Sequence, residues 1–171
     1  SLGVANVLRI GQSARLGMNG RTVTLLASST PLVYESTGDF SANGSTVIYS
    51  ASTTATNIAT GTYSTLTIRG SAVKSLVGNT TVKTAVNIDA GTLAVGAYTF
   101  TVTSSTFNVG SGAALTISAS GVVTATGSTW TNLGTVTNSG TITKDATTYF
   151  TDVDGNTVGT YNADSATLYI T

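Results

Sequence analysis

The densest chemical possibility in the chain lies near its C-terminal end, where Asp152, Asp154 and Asn156 alternate around Gly155. Oxygen ligands alternating about a glycine turn can converge on a hard cation such as calcium. The EF-hand spacing is incomplete, because no bidentate Glu stands at the twelfth position, and an Asp-Gly pair is equally a hairpin turn signal. A plain turn is the better reading, and neither metal nor cofactor is expected.

Nucleophilic and acid-base chemistry finds little support. The chain has neither histidine nor cysteine, which removes the commonest general base, the commonest zinc ligands and the thiolate nucleophile. A polysaccharide lyase or hydrolase would need clustered carboxylates with a basic residue in a cleft. Glu35, Asp39 and Asp89 are isolated in sequence, and Arg69 and Lys74 flank no second acid. No enzyme activity is expected, and no catalytic residue is assigned.

Threonine pairs at alternating positions are a third possibility: Thr65 and Thr67, Thr99, Thr101 and Thr103, Thr124 and Thr126, Thr135 and Thr137, Thr141 and Thr143. A ladder of such pairs on one face could order water and bind ice. The pairs recur at no single spacing, however, and outward Thr is expected on any solvated strand surface. Ice binding is therefore a distant alternative. Asn43 and Asn79 fit the glycosylation acceptor pattern, which arises easily by chance in a chain rich in Ser and Thr.

Composition narrows the partners. Seven Lys plus Arg balance seven Asp plus Glu, and charged residues make up only 8% of the chain. Nucleic acid binding needs a basic stripe to neutralise phosphates, so that partner is not expected. No apolar run approaches bilayer length, so membrane insertion is not expected either. Low charge with high β propensity is an aggregation hazard in a monomer and an asset in a subunit that assembles.

The elements that must position these residues are short strands. Between Tyr63 and Thr143 apolar residues alternate with Thr or Ser, and Gly, Asn and Ser cut the run into segments. The pattern repeats at about 20 residues, the range of solenoids. Leu66 aligns with Val86, Ile68 with Ile88, and Val82, Val102 and Val122 fall in one column. Gly70, Gly91, Gly112 and Gly134 recur as corners, where positive φ or a tight bend is needed. The inward set is Leu66, Ile68, Leu76, Val82, Val86, Ile88, Leu93, Val95, Phe100, Val102, Phe107, Val109, Leu115, Ile117, Val122, Leu133, Val136 and Ile142. Trp130 and the tyrosines read as core or interface residues.

This alternation predicts an all-β chain folded as one right-handed parallel β-helix with coils of about 20 residues. Residues 1–30 are expected to form an N-terminal cap or a strand donated to a neighbouring subunit. The regular part spans 40–147, and residues 148–171 form a capping or docking hairpin turning at Asp154 and Gly155. An assembly interface is expected from Leu2, Val4, Val7, Leu8, Ile10, Arg9, Arg15 and Arg21 at one end. At the other stand Tyr149, Phe150, Asp152, Asp154, Tyr161 and Tyr169. Arginines at one end and acids at the other favour head-to-tail docking over head-to-head.

The segments YSTLTI at 63–68, LVGNTTV at 76–82 and GTLAVGAYTFTV at 91–102 resemble the extracellular β-solenoid repeats of bacterial surface proteins and adhesins. The resemblance implies a parallel β-helix on a secreted or cell-surface protein and brings no catalytic residues. The expected function is a structural subunit of an extracellular filament, polymerising head to tail with copies of itself. The alternative is an adhesin or cell-surface-layer module that binds glycan or protein through its outer face.

Overall fold

A computed structural model describes residues 1–13, 15–34, 39–41, 44–103, 106–144, 149–151, 160–163 and 167–170. Every described strand pairs in parallel, and the strands stack as a β-solenoid with three faces. The first face carries Leu2–Val4, Thr22–Leu25, Thr46–Tyr49, residues 65–68 and 85–88, Thr106–Val109, Thr129–Asn132 and Tyr149–Thr151. The second carries Thr56–Ile58, Val73–Leu76, Thr92–Ala94, Ala114–Ile117, Thr135–Asn138 and Thr160–Ala163. The third carries residues 61–63 and 80–82, then Thr99–Thr103, Val122–Thr126, Thr141–Lys144 and Thr167–Ile170. About six turns are thus laddered on all three faces.

Coil length varies without disturbing the stack. Thr46, Thr65, Ala85, Thr106 and Thr129 are successive register partners, so the intervals are 19, 20, 21 and 23 residues. Corners absorb the difference. This explains one departure from the expected columns: Val82 and Val102 are partners, but the next residue in their column is Ala125. Val122 lies opposite Thr99 on the outer surface, and Val123 is the buried residue instead. A one-residue slip exchanges the two sides of a strand, so a lengthened corner reverses the assignments on the strand that follows it. Leu133 likewise stands half-buried at a corner, while Asn132 and Asn138 turn inward.

The remaining sixteen residues of the expected inward set are buried. On the first face Val23, Val47, Leu66, Val86, Phe107 and Trp130 form one register column, each at most 3% exposed. No single coil could bury its own apolar side chains; each does so against the coils above and below. Burying one such side chain is worth roughly 1.5–3 kcal/mol, so the column is a main source of stability. Its aromatic end is ordered by geometry: Phe107 stacks on Trp130 at 4.4 Å and meets Phe100 of the third face edge-on at 5.9 Å.

Gly70, Gly91, Gly112 and Gly134 all occupy the corner between the first and second faces, as their spacing predicts. Gly91 shows why glycine is needed. Its φ is 74°, and a Cβ there would overlap the Gly70 carbonyl oxygen of the coil below.

The described strands at both ends are laddered to neighbouring coils. Leu2–Val4, Leu8–Ile10 and Arg15–Gly17 pair in parallel with Thr22–Leu25, Leu32–Tyr34 and Asp39–Ser41 of the same chain. The N-terminal segment is therefore laddered to its own chain as a coil of the solenoid. It joins the later coils continuously along the first face, whereas its other two pairs form separate two-stranded sheets. At the C-terminal end, Tyr149–Thr151 pairs with Thr129–Asn132 and Thr160–Ala163 with Thr135–Asn138. Tyr149–Thr151 and Thr160–Ala163 lie on different faces and do not pair with each other; Asp154 and Gly155, where the hairpin turn is expected, lie outside the described residues.

Candidate functional site

The chemistry of a solenoid resides at its ends, on its faces and in any polar group its core retains. The expected N-terminal interface residues share the first coil and the start of the second. Leu2 and Val7 are 50% and 45% exposed, Val4 and Leu8 are half-buried, and Ile10 is buried. Leu2, Leu16, Met18 and Val23 line a shallow apolar cavity at this end, with Arg21 beside it. Arg9 and Arg21 are exposed, and Arg15 lies in register with Asp39 of the next coil. Among the described residues, no strand pairs with the outer edges of Leu2–Val4, Leu8–Ile10 or Arg15–Gly17.

At the opposite end, Tyr149 and Phe150 align with Thr129 and Trp130, Tyr161 with Val136, and Tyr169 with Thr143. The structure therefore brings these four aromatics into the last coil. Asp152, Asp154 and Asn156, the candidate calcium ligands, lie outside the described residues. Among the described residues no three acidic side chains gather where they could hold a metal ion, and no helix is long and apolar enough to cross a membrane.

Of the enzyme candidates, Glu35 lies outside the described residues, and Asp89, Arg69 and Lys74 do not gather at one site. Arg69 Nε donates to Asp89 Oδ2 at 2.8 Å, and both side chains are about half exposed, so this is a surface ion pair linking two coils. Lys74 lies elsewhere, fully buried on the second face in register between Thr56 and Leu93. Its Nζ donates to the carbonyl oxygens of Ala51 at 2.7 Å, Gly70 at 2.7 Å and Ala72 at 2.9 Å. An ammonium has three donors, and here each finds one acceptor. Burial pulls its pKa down from 10.5 to about 8, which leaves it charged at neutral pH. Lys74 thus acts as a corner clamp, collecting carbonyls that the turns at Ala51 and Gly70 direct inward. Sequence reasoning passed over it because a lysine at an inward register position reads as an exposed charge; the apolar Leu76 two residues later was the available signal.

A second polar group is sealed in the core. The hydroxyls of Tyr49 and Tyr63 lie 3.0 Å apart, Tyr49 Oη accepts from the Ala59 amide at 3.1 Å, and Tyr63 Oη donates to the Ala59 carbonyl at 2.6 Å. Burial pushes the Tyr49 pKa up to about 12. Asn132 and Asn138 serve corners in the same spirit, each accepting through Oδ1 from the amide of a glycine two residues on.

The outer surface of the third face carries the most regular array. Thr62, Thr81, Thr101, Thr124 and Thr143 are consecutive register partners across five coils. In the sequence these residues are separated by 19, 20, 23 and 19 positions, so no fixed period reveals the ladder that the corners restore.

No family model, curated protein or solved structure matches the chain.

Proposed function

We propose that this chain is a structural subunit of an extracellular filament, polymerising head to tail by stacking one solenoid end on the next. The observation that carries the reading is the first coil, whose three strands offer their outer edges without a ladder partner among the described residues. Unpaired strand edges are templates for another chain, and a parallel coil can be continued only by another parallel coil in the same direction. The last coil of a second copy has that direction. Apolar surface at Leu2 and Val7 and the cavity beside Leu16 and Met18 would be covered in the same contact.

Charge supports the polarity of assembly. Arg9, Arg15 and Arg21 belong to the first coils, while Asp145, Asp152, Asp154 and Asp164 are interspersed with the last strands in sequence. Because the contact is heterologous, it propagates as an open polymer unless the rotation closes a ring. Pairing of Leu2–Val4, Leu8–Ile10 and Arg15–Gly17 within their own chain favours end stacking over strand donation. The extracellular setting rests on the resemblance of 63–102 to bacterial surface repeats. A structural role fits a molecule whose Arg69 and Asp89 neutralise one another and whose Lys74 is enclosed.

Negative-stain electron microscopy of the purified chain at micromolar concentration tests the proposal. Long unbranched fibres of uniform width are expected, and the Leu2→Asp, Val7→Asp double variant should stay monodisperse while keeping its β-type circular dichroism. Monodisperse parent protein would overturn the filament reading and favour a module that binds glycan or protein through its outer face. Fibres from the double variant would overturn the end contact.

A further inference from the structure

We infer that the third face is an ice-binding surface, formed by the threonine column and its flanking columns. On either side of Thr101, Thr124 and Thr143, the same strands place Thr99, Val122 and Thr141 two residues earlier, and Thr103 and Thr126 two residues later, all in register. Neighbouring coils are about 4.8 Å apart, and alternate residues along a strand are about 6.7 Å apart, so these side chains occupy a rectangular grid. Threonine is stiff about χ1, so each grid point except Val122, which offers two methyl groups, presents a hydroxyl and a methyl group with little rotational freedom.

Two further observations point to a water lattice. First, the side chains of Thr62, Thr81, Thr101 and Thr124 lie on the outer side of the sheet, and among the described residues no hydrogen bond engages their hydroxyls. The first face behaves otherwise, where Asn108 Nδ2 donates to Asn87 Oδ1 in the neighbouring coil at 2.9 Å. Second, the sequence from Gly91 to Thr143, which carries the three-column grid, contains no charged residue; the exposed Lys83 stands two residues after Thr81, outside that grid. An uncharged lattice demands an uncharged face, because a charged side chain pressed against it would lose hydration without gaining a partner. A crystalline polysaccharide shares that neutrality, but sugar rings are held by aromatic platforms, and the described columns contain none. The two-dimensional repeat, the free hydroxyls and the neutrality together select ice.

This inference concerns a side face and is independent of end-to-end assembly. Its test is thermal hysteresis and ice-crystal morphology of the purified full chain, with light scattering recording the assembly state of each sample. The parent is expected to separate melting from freezing and to facet growing crystals. Thr124→Lys, at the centre of the column, should abolish both effects. Thr116→Lys, on the outer side of the second face in register between Ala94 and Thr137, should retain them. Circular dichroism checks that each variant folds, and Thr101→Lys replaces Thr124→Lys if that one does not. Absence of hysteresis in the parent would overturn the inference, as would equal loss in the two variants. Retention of the parent on microcrystalline cellulose or chitin without hysteresis would overturn it in favour of polysaccharide.

Discussion

Replacing Lys74 by Met should destabilise the solenoid even though it puts an apolar side chain of similar reach into an apolar column. The parent ammonium satisfies three carbonyls, one through a buried contact and two through partly buried ones. A buried acceptor left unsatisfied costs about 1–3 kcal/mol, and the two partly buried carbonyls can recover most of their loss by turning to water. Removing a desolvated charge acts in the opposite direction, since a buried ion is often replaced by a hydrophobe at no net cost. The carbonyls decide the sign here, because they remain at the corner whether or not the lysine does. The expected net loss is about 2 kcal/mol. With a urea m value of about 2 kcal/mol/M, the unfolding midpoint should fall by about 1 M. Lys74→Ala should fall further, by about another 2 kcal/mol, because it also opens a cavity between Thr56 and Leu93. Equilibrium urea unfolding followed by circular dichroism gives both shifts. A Lys74→Met variant as stable as the parent, or more so, would refute the view that Lys74 clamps the corner.

The same residue sets a pH dependence. Its folded pKa of about 8 lies below its ordinary 10.5, so between these values the unfolded chain binds more protons and stability rises with pH. Relative to Lys74→Met, the parent should therefore gain stability from pH 8 to pH 10, and a loss across that window would show that the carbonyls outweigh burial. Gly91→Ala and Gly112→Ala separate backbone conformation from space: both glycines have φ near 75°, but a Cβ overlaps the Gly70 carbonyl at Gly91 and meets nothing within 4 Å at Gly112. Gly112→Ala should cost about 1–2 kcal/mol in thermal unfolding from the left-handed conformation alone, and Gly91→Ala clearly more; equal costs would remove the steric argument. Trp130→Ala, which empties a fully packed position against Phe107, should cost about 3–5 kcal/mol and lower the melting temperature measured by calorimetry. An unchanged melting temperature would contradict the role of that aromatic column.

Alternation of apolar residues with Thr and Ser, interrupted by glycines near every twentieth position, was enough to determine an all-β stacked chain and most of its inward positions. Those features are local, since a strand's side chains alternate whatever it pairs with. The register partners Leu66 with Val86 and Ile68 with Ile88 followed because two equal coils lay side by side in sequence. What tertiary structure decided begins where corner length changes. The 23-residue interval between Thr106 and Thr129 moved Val122 outward and Ala125 inward. Uneven intervals also concealed the ladder from Thr62 to Thr143, which exists only once the coils are superposed. Stacking likewise determined that Leu2–Val4, Leu8–Ile10 and Arg15–Gly17 ladder with strands of their own chain, because the sequence shows an apolar segment but not what it pairs with. Lys74 was legible only as a charge. Its meaning comes from the carbonyls of Ala51, Gly70 and Ala72, which the turning backbone brings within 2.9 Å of one amine from positions 23, 4 and 2 residues away.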